Sequence, residues 1–237
     1  MRKSKKKSIA AVCAILAVSV LFSSCLKDST SSYYSTPVAL VTVVQASPGQ
    51  PGLDFYLDNN QVNWSPISYG DNLDYFKANT GKRTAYFYNT GTFSKVASDT
   101  LTLNGNTAYS IFLTNTKANP QILKVVDSLK KPATGNATVR FINLSPDAQP
   151  VTLAIQNAQT LVANEAFKGY SAFLPVTGNA TYTFVVKQGT TNTVLATLPN
   201  VSIKTGYVYT IWYHGLNTPT NSTDGVKADI ITNAVYY

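Results

Sequence analysis

One segment of this sequence occurs twice, about 100 residues apart, and this duplication limits the folds that the chain can adopt. Val41–Pro48 (VTVVQASP) parallels Val139–Pro146 (VRFINLSP) at an offset of 98 residues. Asn106–Phe112 parallels Gly206–Trp212 at an offset of 100, and two shorter matches lie between them in the same order. A constant period indicates repeated structural units, and about 100 residues is the size of a small domain. The sequence therefore predicts two copies of one domain.

Composition places the boundary between the two copies. The segment KKPATGN at residues 130–136 contains Pro and Gly, which are typical of linkers. We predict a first domain at residues 38–130, a linker at 131–136 and a second domain at 137–237. Each domain is expected to own a hydrophobic core, because units of this size can bury one.

Each copy has the residue pattern of an all-β domain. Apolar and polar residues alternate in Leu53–Asp58, Thr181–Lys187 and Tyr207–Tyr213, as in strands that bury one face. Turn-forming pairs such as Asn104-Gly105 separate the alternating stretches. About seven strands fit into each copy, so we predict two tandem antiparallel β-sandwiches of immunoglobulin-like or transthyretin-like architecture.

Residues 1–24 have the form of a cleaved secretory signal peptide. Five of the eight excess positive charges lie in the first seven residues, before an apolar run at residues 9–22. That run is shorter than the ~20 residues that a membrane-spanning helix needs. Once the segment is removed the chain is only mildly basic, so we predict no nucleic-acid partner.

Cys25 follows Ser23-Ser24, and this arrangement resembles the lipobox of bacterial lipoproteins, whose cysteine is acylated after cleavage. The alternative is ordinary cleavage near Ser24, which would leave a free thiol. The other cysteine, Cys13, lies within the signal, so the exported protein has no disulfide. We predict that residues 25–37 form a lipidated cysteine with a polar tether. The expected location is that of an exported outer membrane lipoprotein, facing the periplasm or the cell surface, with the membrane as partner.

The segment VRFINLSPDA at residues 139–148 resembles a known family. Its strand and turn are similar to those that open the domain-of-unknown-function family numbered 4397. The resemblance covers residues 137–237 well and residues 38–130 more loosely. It implies an exported bacterial protein with tandem domains. Because that family has no established activity, the resemblance implies no catalytic or binding residue.

The residues that could carry catalysis do not form a constellation shared by both copies. Ser145, Pro146 and Asp147 are typical of a β-turn, and the first copy has Gly49 where the second has Asp147. His214 is the only histidine, and we expect it to be solvated at the end of a strand. We therefore predict no catalytic residue, no metal site and no cofactor.

Three aromatic residues are candidates for ligand binding. Trp64, Tyr69 and Tyr75 lie in a part of the first copy without clean alternation. Exposed rings of this kind stack on sugars, although the same rings could fill a core. The sequence thus favours a non-catalytic binding, adhesive or spacer module, with a glycan or a surface protein as ligand. Two alternatives stay open: a carbohydrate-active enzyme with a loop-built carboxylate pair, and a structural subunit of a surface assembly.

The lipobox interpretation predicts the behaviour of one variant. Cys25→Ala should release the protein from the membrane fraction and abolish labelling by fatty acid, because the acylated thiol is gone. Fractionation and metabolic labelling measure both effects. Cys13→Ala, in the signal, is the control and should leave anchoring intact. Membrane retention of Cys25→Ala would contradict the prediction.

Overall fold

The structure is a computed structural model that describes residues 37–189 and 191–237. It consists mainly of β-strands that recur in one order. Pro37–Tyr237 form one compact unit. The predicted signal peptide, Cys25 and most of the predicted tether lie outside the described residues. Within these residues, the one helical element is a short 3-10 helix at Ser222–Asp224.

The strands of the first half form two four-stranded sheets. Sheet I has the order β4-β1-β7-β8, and sheet II has the order β3-β2-β5-β6. The strands are β1 (Val38–Gln45), β2 (Leu53–Leu57), β3 (Asn60–Gln61), β4 (Asn72–Asn79), β5 (Gly81–Asn89), β6 (Lys95–Leu103), β7 (Ala108–Thr114) and β8 (Gln121–Asp127).

The second half repeats this arrangement strand for strand. Sheet III has the order β12-β9-β15-β16, and sheet IV has the order β11-β10-β13-β14. Each strand thus has its counterpart eight places further along the chain. The strands are β9 (Asn136–Asn143), β10 (Val151–Ile155), β11 (Thr160–Glu165), β12 (Leu174–Thr177), β13 (Ala180–Gln188), β14 (Val194–Ile203), β15 (Tyr207–His214) and β16 (Lys227–Val235).

One pairing in each half differs from the antiparallel arrangement that the sequence predicted. Strand β1 pairs with β7 in parallel, and β9 pairs with β15 in parallel. The chain passes through both sheets between these two strands, so no hairpin forces them to run in opposite directions. The prediction of purely antiparallel sheets was therefore wrong at this position.

Each half holds a hydrophobic cluster drawn from both of its sheets. In the first half, Leu53, Phe55 and Leu57 of sheet II are buried beside residues of sheet I such as Val41 and Ile111. This confirms the alternation predicted for Leu53–Asp58. The second cluster joins sheets III and IV in the same way, with members such as Phe141, Leu153, Phe184 and Ile211.

A third cluster joins the two halves through sheets I and III. It contains eight buried apolar residues, and these form four pairs at equivalent positions of the repeat. Sheets I and III are therefore buried on both faces, and the layers follow the order II, I, III, IV. The pairs are Val44 with Ile142, Ala46 with Leu144, Phe112 with Trp212, and Val125 with Ile231.

A buried ion pair lies beside this third cluster. Arg140 Nη1 of the second half is 2.7 Å from Asp127 Oδ1 of the first, and both side chains are almost completely buried. Asp127 Oδ2 accepts hydrogen bonds from Ser110 Oγ at 2.8 Å and from Tyr75 Oη at 2.5 Å. Arg140 donates to Thr210 Oγ1 at 3.0 Å through Nη2. Each charge thus has a partner from the opposite half and further partners that satisfy its remaining atoms.

The Ser-Pro turns of the two halves share a local bond. Ser47 N donates to Gln45 Oε1 at 2.6 Å, and Ser145 N donates to Asn143 Oδ1 at 3.0 Å. Pro146 and Asp147 lie in the turn that the sequence predicted. The amide side chain two residues before the serine, and not Asp147, makes the bond common to both turns.

Asp147 instead holds a distant loop. Its carboxylate accepts bonds from Asn217 N at 2.9 Å and from Thr218 N and Oγ1, both at 3.1 Å. Partial burial acts to raise the pKa of Asp147, but these donors outweigh it and lower the pKa below the usual value. The carboxylate therefore fastens the loop between β15 and β16 while it stays ionised.

The interface predicts the cost of removing one charge. Asp127→Ala should lower the free energy of unfolding by about 3–5 kcal/mol, because Arg140 would remain buried without its counter-ion. Urea denaturation measures the loss. Asp99→Ala, at an exposed position on β6, should change stability by less than about 0.5 kcal/mol. Combining Asp127→Leu with Arg140→Met should recover part of the loss. Wild-type stability of Asp127→Ala would show that the pair does not hold the halves together.

The Asp147 loop bond predicts a pH-dependent effect. Asp147→Ala should lower the free energy of unfolding by about 1 kcal/mol at pH 7, a value reduced for an exposed carboxylate. Because the folded pKa is lowered, the stabilisation is complete above a pH of about 4 and is lost as the pH falls through the folded pKa. Urea midpoints of wild type and variant should converge in acid, while those of Asp74→Ala track wild type throughout. A pH-independent difference would contradict this origin.

Candidate functional site

The outer face of sheet II carries a cluster of four aromatic side chains, here called the aromatic face. Tyr56 lies on β2, and Tyr86 and Tyr88 lie on β5. Because their neighbours Phe55 and Phe87 point into the core, the alternation of the strands turns these tyrosines outward. Phe93 belongs to the hairpin between β5 and β6 and is 81% exposed.

The four rings contact one another. Tyr56 and Tyr86 are cross-strand partners, and the Tyr56 and Tyr88 ring centroids are 5.4 Å apart in an edge-to-face arrangement. Tyr86 and Tyr88 stack with centroids 5.6 Å apart. Phe93 lies 5.8 Å from Tyr88 and 6.3 Å from Tyr56. These separations are typical of favourable aromatic pairs, so the rings support each other in a fixed arrangement at the surface.

The second half lacks this cluster although it has the same strands. Strand pairing places Ala154 and Val185 opposite each other on sheet IV, where sheet II has Tyr56 and Tyr86. Lys187 replaces Tyr88, and Asn192 occupies the hairpin position of Phe93. The fold forms without aromatic residues at these positions. The aromatic face is therefore not a requirement of the architecture.

Trp64 lies next to this face and is fully exposed. It borders a 230 Å³ cavity with Gln61 and Asn63, and Gln61 Oε1 accepts a bond from Tyr56 Oη at 3.0 Å. Asn63 is buried and accepts a bond from Phe55 N at 2.7 Å, which anchors the loop. Gln61 thus connects the predicted ligand-binding residue Trp64 to the aromatic face.

The structure places Tyr75 in a different environment. Tyr75 Oη donates to Asp127 and accepts a bond from Asn233 Nδ2 at 3.0 Å, in the buried network between the halves. Burial, and then the negative charge of Asp127, raise the pKa of the Tyr75 hydroxyl well above its ordinary value. The hydroxyl of Tyr75 is therefore engaged inside the protein.

Tyr69 connects the two halves through His214. Tyr69 Oη is 2.8 Å from His214 Nδ1, and His214 Nε2 is 2.7 Å from Asp229 Oδ2. The expectation of a solvated His214 was wrong, because its side chain is fully buried at the end of β15 and stacks on Trp212 at 4.1 Å. Burial lowers the pKa of His214, although the nearby Asp229 carboxylate acts to raise it. The net lowering favours the neutral ring.

Sequence reasoning missed the aromatic face, although a signal was available. The outward direction of Tyr86 and Tyr88 follows from their alternation with the apolar residues Ala85 and Phe87. The absence of aromatic counterparts in the second copy would have marked them as unnecessary for the fold.

Neither a metal-ligand cluster nor a membrane-spanning helix is found among the described residues. Across residues 37–189 and 191–237, no three His, Cys, Asp or Glu side chains are grouped as metal ligands would be. Over the same residues, no helix has the length and apolarity to cross a membrane.

Solved structures that resemble this chain are carbohydrate-binding modules and a bacterial protein, all at low identity. A family CBM26 module of Eubacterium rectale Amy13K, solved with maltoheptaose, is 12% identical, with 81% of this chain and 95% of that chain covered and a TM-score of 0.27. A family 41 module of streptococcal virulence factors, described in terms of alpha-glucan recognition, is 11% identical, covering 80% and 96%, with a TM-score of 0.25. The Bacillus anthracis TIE protein is 10% identical, covering 83% and 44%, with a TM-score of 0.24.

One family model matches part of the chain. A search of curated proteins gave no match. Residues 39–154, which span the first half and the opening strands of the second, match the family described as Domain of unknown function (DUF4397).

Proposed function

We propose that this protein is a non-catalytic, lipid-anchored binding module that recognises glycans through the aromatic face of sheet II. The observation that carries the proposal is the difference between the two copies. Tyr56, Tyr86, Tyr88 and Phe93 have no aromatic counterparts on sheet IV. Phe93 is exposed and the three tyrosine rings are half-buried. Outward-facing rings that a fold does not need are best explained by contact with a ligand.

The chemistry of the face suits a sugar. Aromatic rings cover the apolar faces of pyranose rings, while neutral polar groups at their edges bind hydroxyls. Ser98 lies opposite Tyr86 on β6, and Lys95 lies opposite Tyr88. Gln61 and the tyrosine hydroxyls add donors and acceptors around the rings. This mixture of ring faces and hydrogen-bonding groups suits a glycan.

Both carboxylates that flank Tyr56 in sequence make structural bonds, which supports a non-catalytic role. Asp58 accepts a bond from Thr84 N at 2.8 Å and lies 3.2 Å from Arg83 Nη1. Asp54, on β2 two residues before Tyr56, accepts bonds from Gly91 N at 2.9 Å and from Thr90 Oγ1 at 3.2 Å. Asn63 Nδ2 also donates to it at 3.3 Å. A glycosidase needs two carboxyl groups free to act on the glycosidic bond. Asp54 instead holds the hairpin that presents Phe93.

We infer that the protein is organised as a tandem pair of sandwiches at residues 38–130 and 137–237. In an immunoglobulin-type sandwich the first two strands share a sheet, whereas here β1 and β2 lie in different sheets. The strand order therefore favours the transthyretin-like alternative. Because sheets I and III cover each other, the outer faces of sheets II and IV are left for ligands.

The location in the proposal rests on the amino-terminal sequence. Cleavage after residue 24 and acylation of Cys25 would place the module in the outer membrane of a bacterium, facing the periplasm or the cell surface. Residues 26–37 would hold the module away from the bilayer. A glycan near the membrane could then be bound without further domains.

Substitutions on the aromatic face test the proposal. Tyr88→Ala should weaken binding to a glycan retained by wild type about tenfold or more, since Tyr88 contacts all three other rings. Phe93→Ala should weaken it as well. A glycan array identifies the ligand, and calorimetric titration measures the loss.

A matched control comes from the second copy. Lys187 occupies the position on sheet IV that corresponds to Tyr88. The Lys187→Ala variant should therefore bind the glycan as tightly as wild type. Thermal melts establish that each variant is folded. The proposal fails if wild type retains no glycan on the array, or if folded Tyr88→Ala binds as tightly as wild type.

A further inference from the structure

A second cavity lies where the two halves and the segment between them meet, and we call it the linker cleft. It has a volume of about 570 Å³, which is within the range of small-ligand sites. Lys130 and Lys131 come from the segment that joins β8 to β9, Arg140 from β9, and Tyr170 and Phe173 from the segment before β12.

The cleft has an excess of positive charge. Asp127 neutralises Arg140, so the excess comes from the exposed Lys130 and Lys131. Lys131 Nζ donates one bond to the main-chain oxygen of Tyr237 at 2.9 Å, which leaves two of its three protons for a ligand. Among the described residues that line the cleft, none is acidic. An anionic group is therefore favoured over a neutral or cationic one.

One wall of the cleft is aromatic and rigid. The Phe173 ring lies 4.6 Å from the Arg140 guanidinium carbon, and Arg140 is held by its buried bonds to Asp127 and Thr210. Tyr170 stands beside it with 48% of its surface exposed. The hydroxyl of Thr138, another lining residue, is buried and has no hydrogen-bond partner. The cleft thus offers ring surface, ammonium groups and an unsatisfied hydroxyl.

The first copy does not repeat this chemistry. Thr42 occupies the strand position of Arg140, and Asn72, which pairs with Val44, occupies the position of Tyr170, which pairs with the equivalent Ile142. The cleft is therefore a feature that only the second copy and its junction with the first can form. Like the aromatic face, it departs from what the duplicated fold requires.

We propose that the linker cleft binds an acidic sugar, a uronic acid residue of an oligosaccharide. Lys130 and Lys131 would hold the carboxylate, and the ring of Tyr170 would cover the apolar face of the sugar. A sugar acid uses the positive charge and the aromatic wall together, whereas a bare inorganic anion would use only the charge. This proposal rests on the cleft alone and does not depend on the aromatic face.

The test compares acidic oligosaccharides with their neutral counterparts. The purified full-length protein is titrated by calorimetry with oligomers that contain galacturonate or glucuronate, and with galactose or glucose oligomers of the same length. At least one acidic oligomer should bind about tenfold more tightly than its neutral partner, and added salt should reduce the difference. Equal affinities across all pairs would overturn the proposal.

Variants assign the binding to the cleft. Lys130→Gln and Lys131→Gln should each weaken the acidic oligomer about tenfold, and Tyr170→Ala should weaken it without abolishing its preference over the neutral one. Lys117→Gln removes the same charge at an exposed loop position and should have no effect. Tyr88→Ala should also leave the preference unchanged, so failure of the aromatic face is distinguishable from failure of the cleft. An equal effect of Lys117→Gln and Lys130→Gln would overturn the proposal.

Discussion

The buried ion pair between Arg140 and Asp127 is the constraint on which the arrangement of the two halves depends. Each charge loses its water on burial, and this cost is offset only when the partner of the other half is present. Ser110 and Tyr75 satisfy the carboxylate, and Thr210 satisfies the guanidinium. Sheets I and III must therefore face each other in one register. That choice leaves sheets II and IV outermost and sets Arg140 at the wall of the linker cleft.

Equivalent residues of the two copies meet around this pair, but the two charged residues have no charged equivalents in the other copy. Ser110 and Thr210 are equivalent hydroxyls, and Phe112 and Trp212 are equivalent rings in the shared cluster. Thr42, however, stands where the second copy has Arg140. A symmetric pair of arginines would place like charges near each other in a buried site. Asn233, which accepts a bond from Thr210 as Asp127 does from Ser110, is likewise uncharged, so the copies form the ion pair once and in one direction.

Much of each half was predictable from local patterns, and the contact between the halves was not. The alternation of Leu53, Phe55 and Leu57 predicted a half-buried strand because one face of that strand meets the core. The prediction that Tyr207–Tyr213 buries one face was wrong, because β15 is buried on both faces. The sequence of a single strand does not reveal what covers its second face. His214 was predicted to be solvated for the same reason, because the sequence does not show that Tyr69 and Trp212 contact its ring.

The aromatic face could not be recognised from spacing along the chain either. Tyr56 and Tyr86 are 30 residues apart in sequence and become neighbours only through the register of β2 and β5. Tyr69 and Tyr75 looked equivalent to Trp64 as sequence, yet their hydroxyls bind groups of the second half. Sequence type alone does not separate a ring that binds a ligand from one that secures an interface.

The covered faces of sheets I and III also explain why two copies occur together. A single half would expose Phe112 or Trp212 with their apolar neighbours, and an exposed patch of that kind favours association. The second copy covers the patch of the first, so its own outer sheet is free to differ. Once the interface is satisfied, aromatic residues on sheet II and lysines at the linker can be added without disturbing either core. The duplication thus separates the residues that hold the fold from those available for binding.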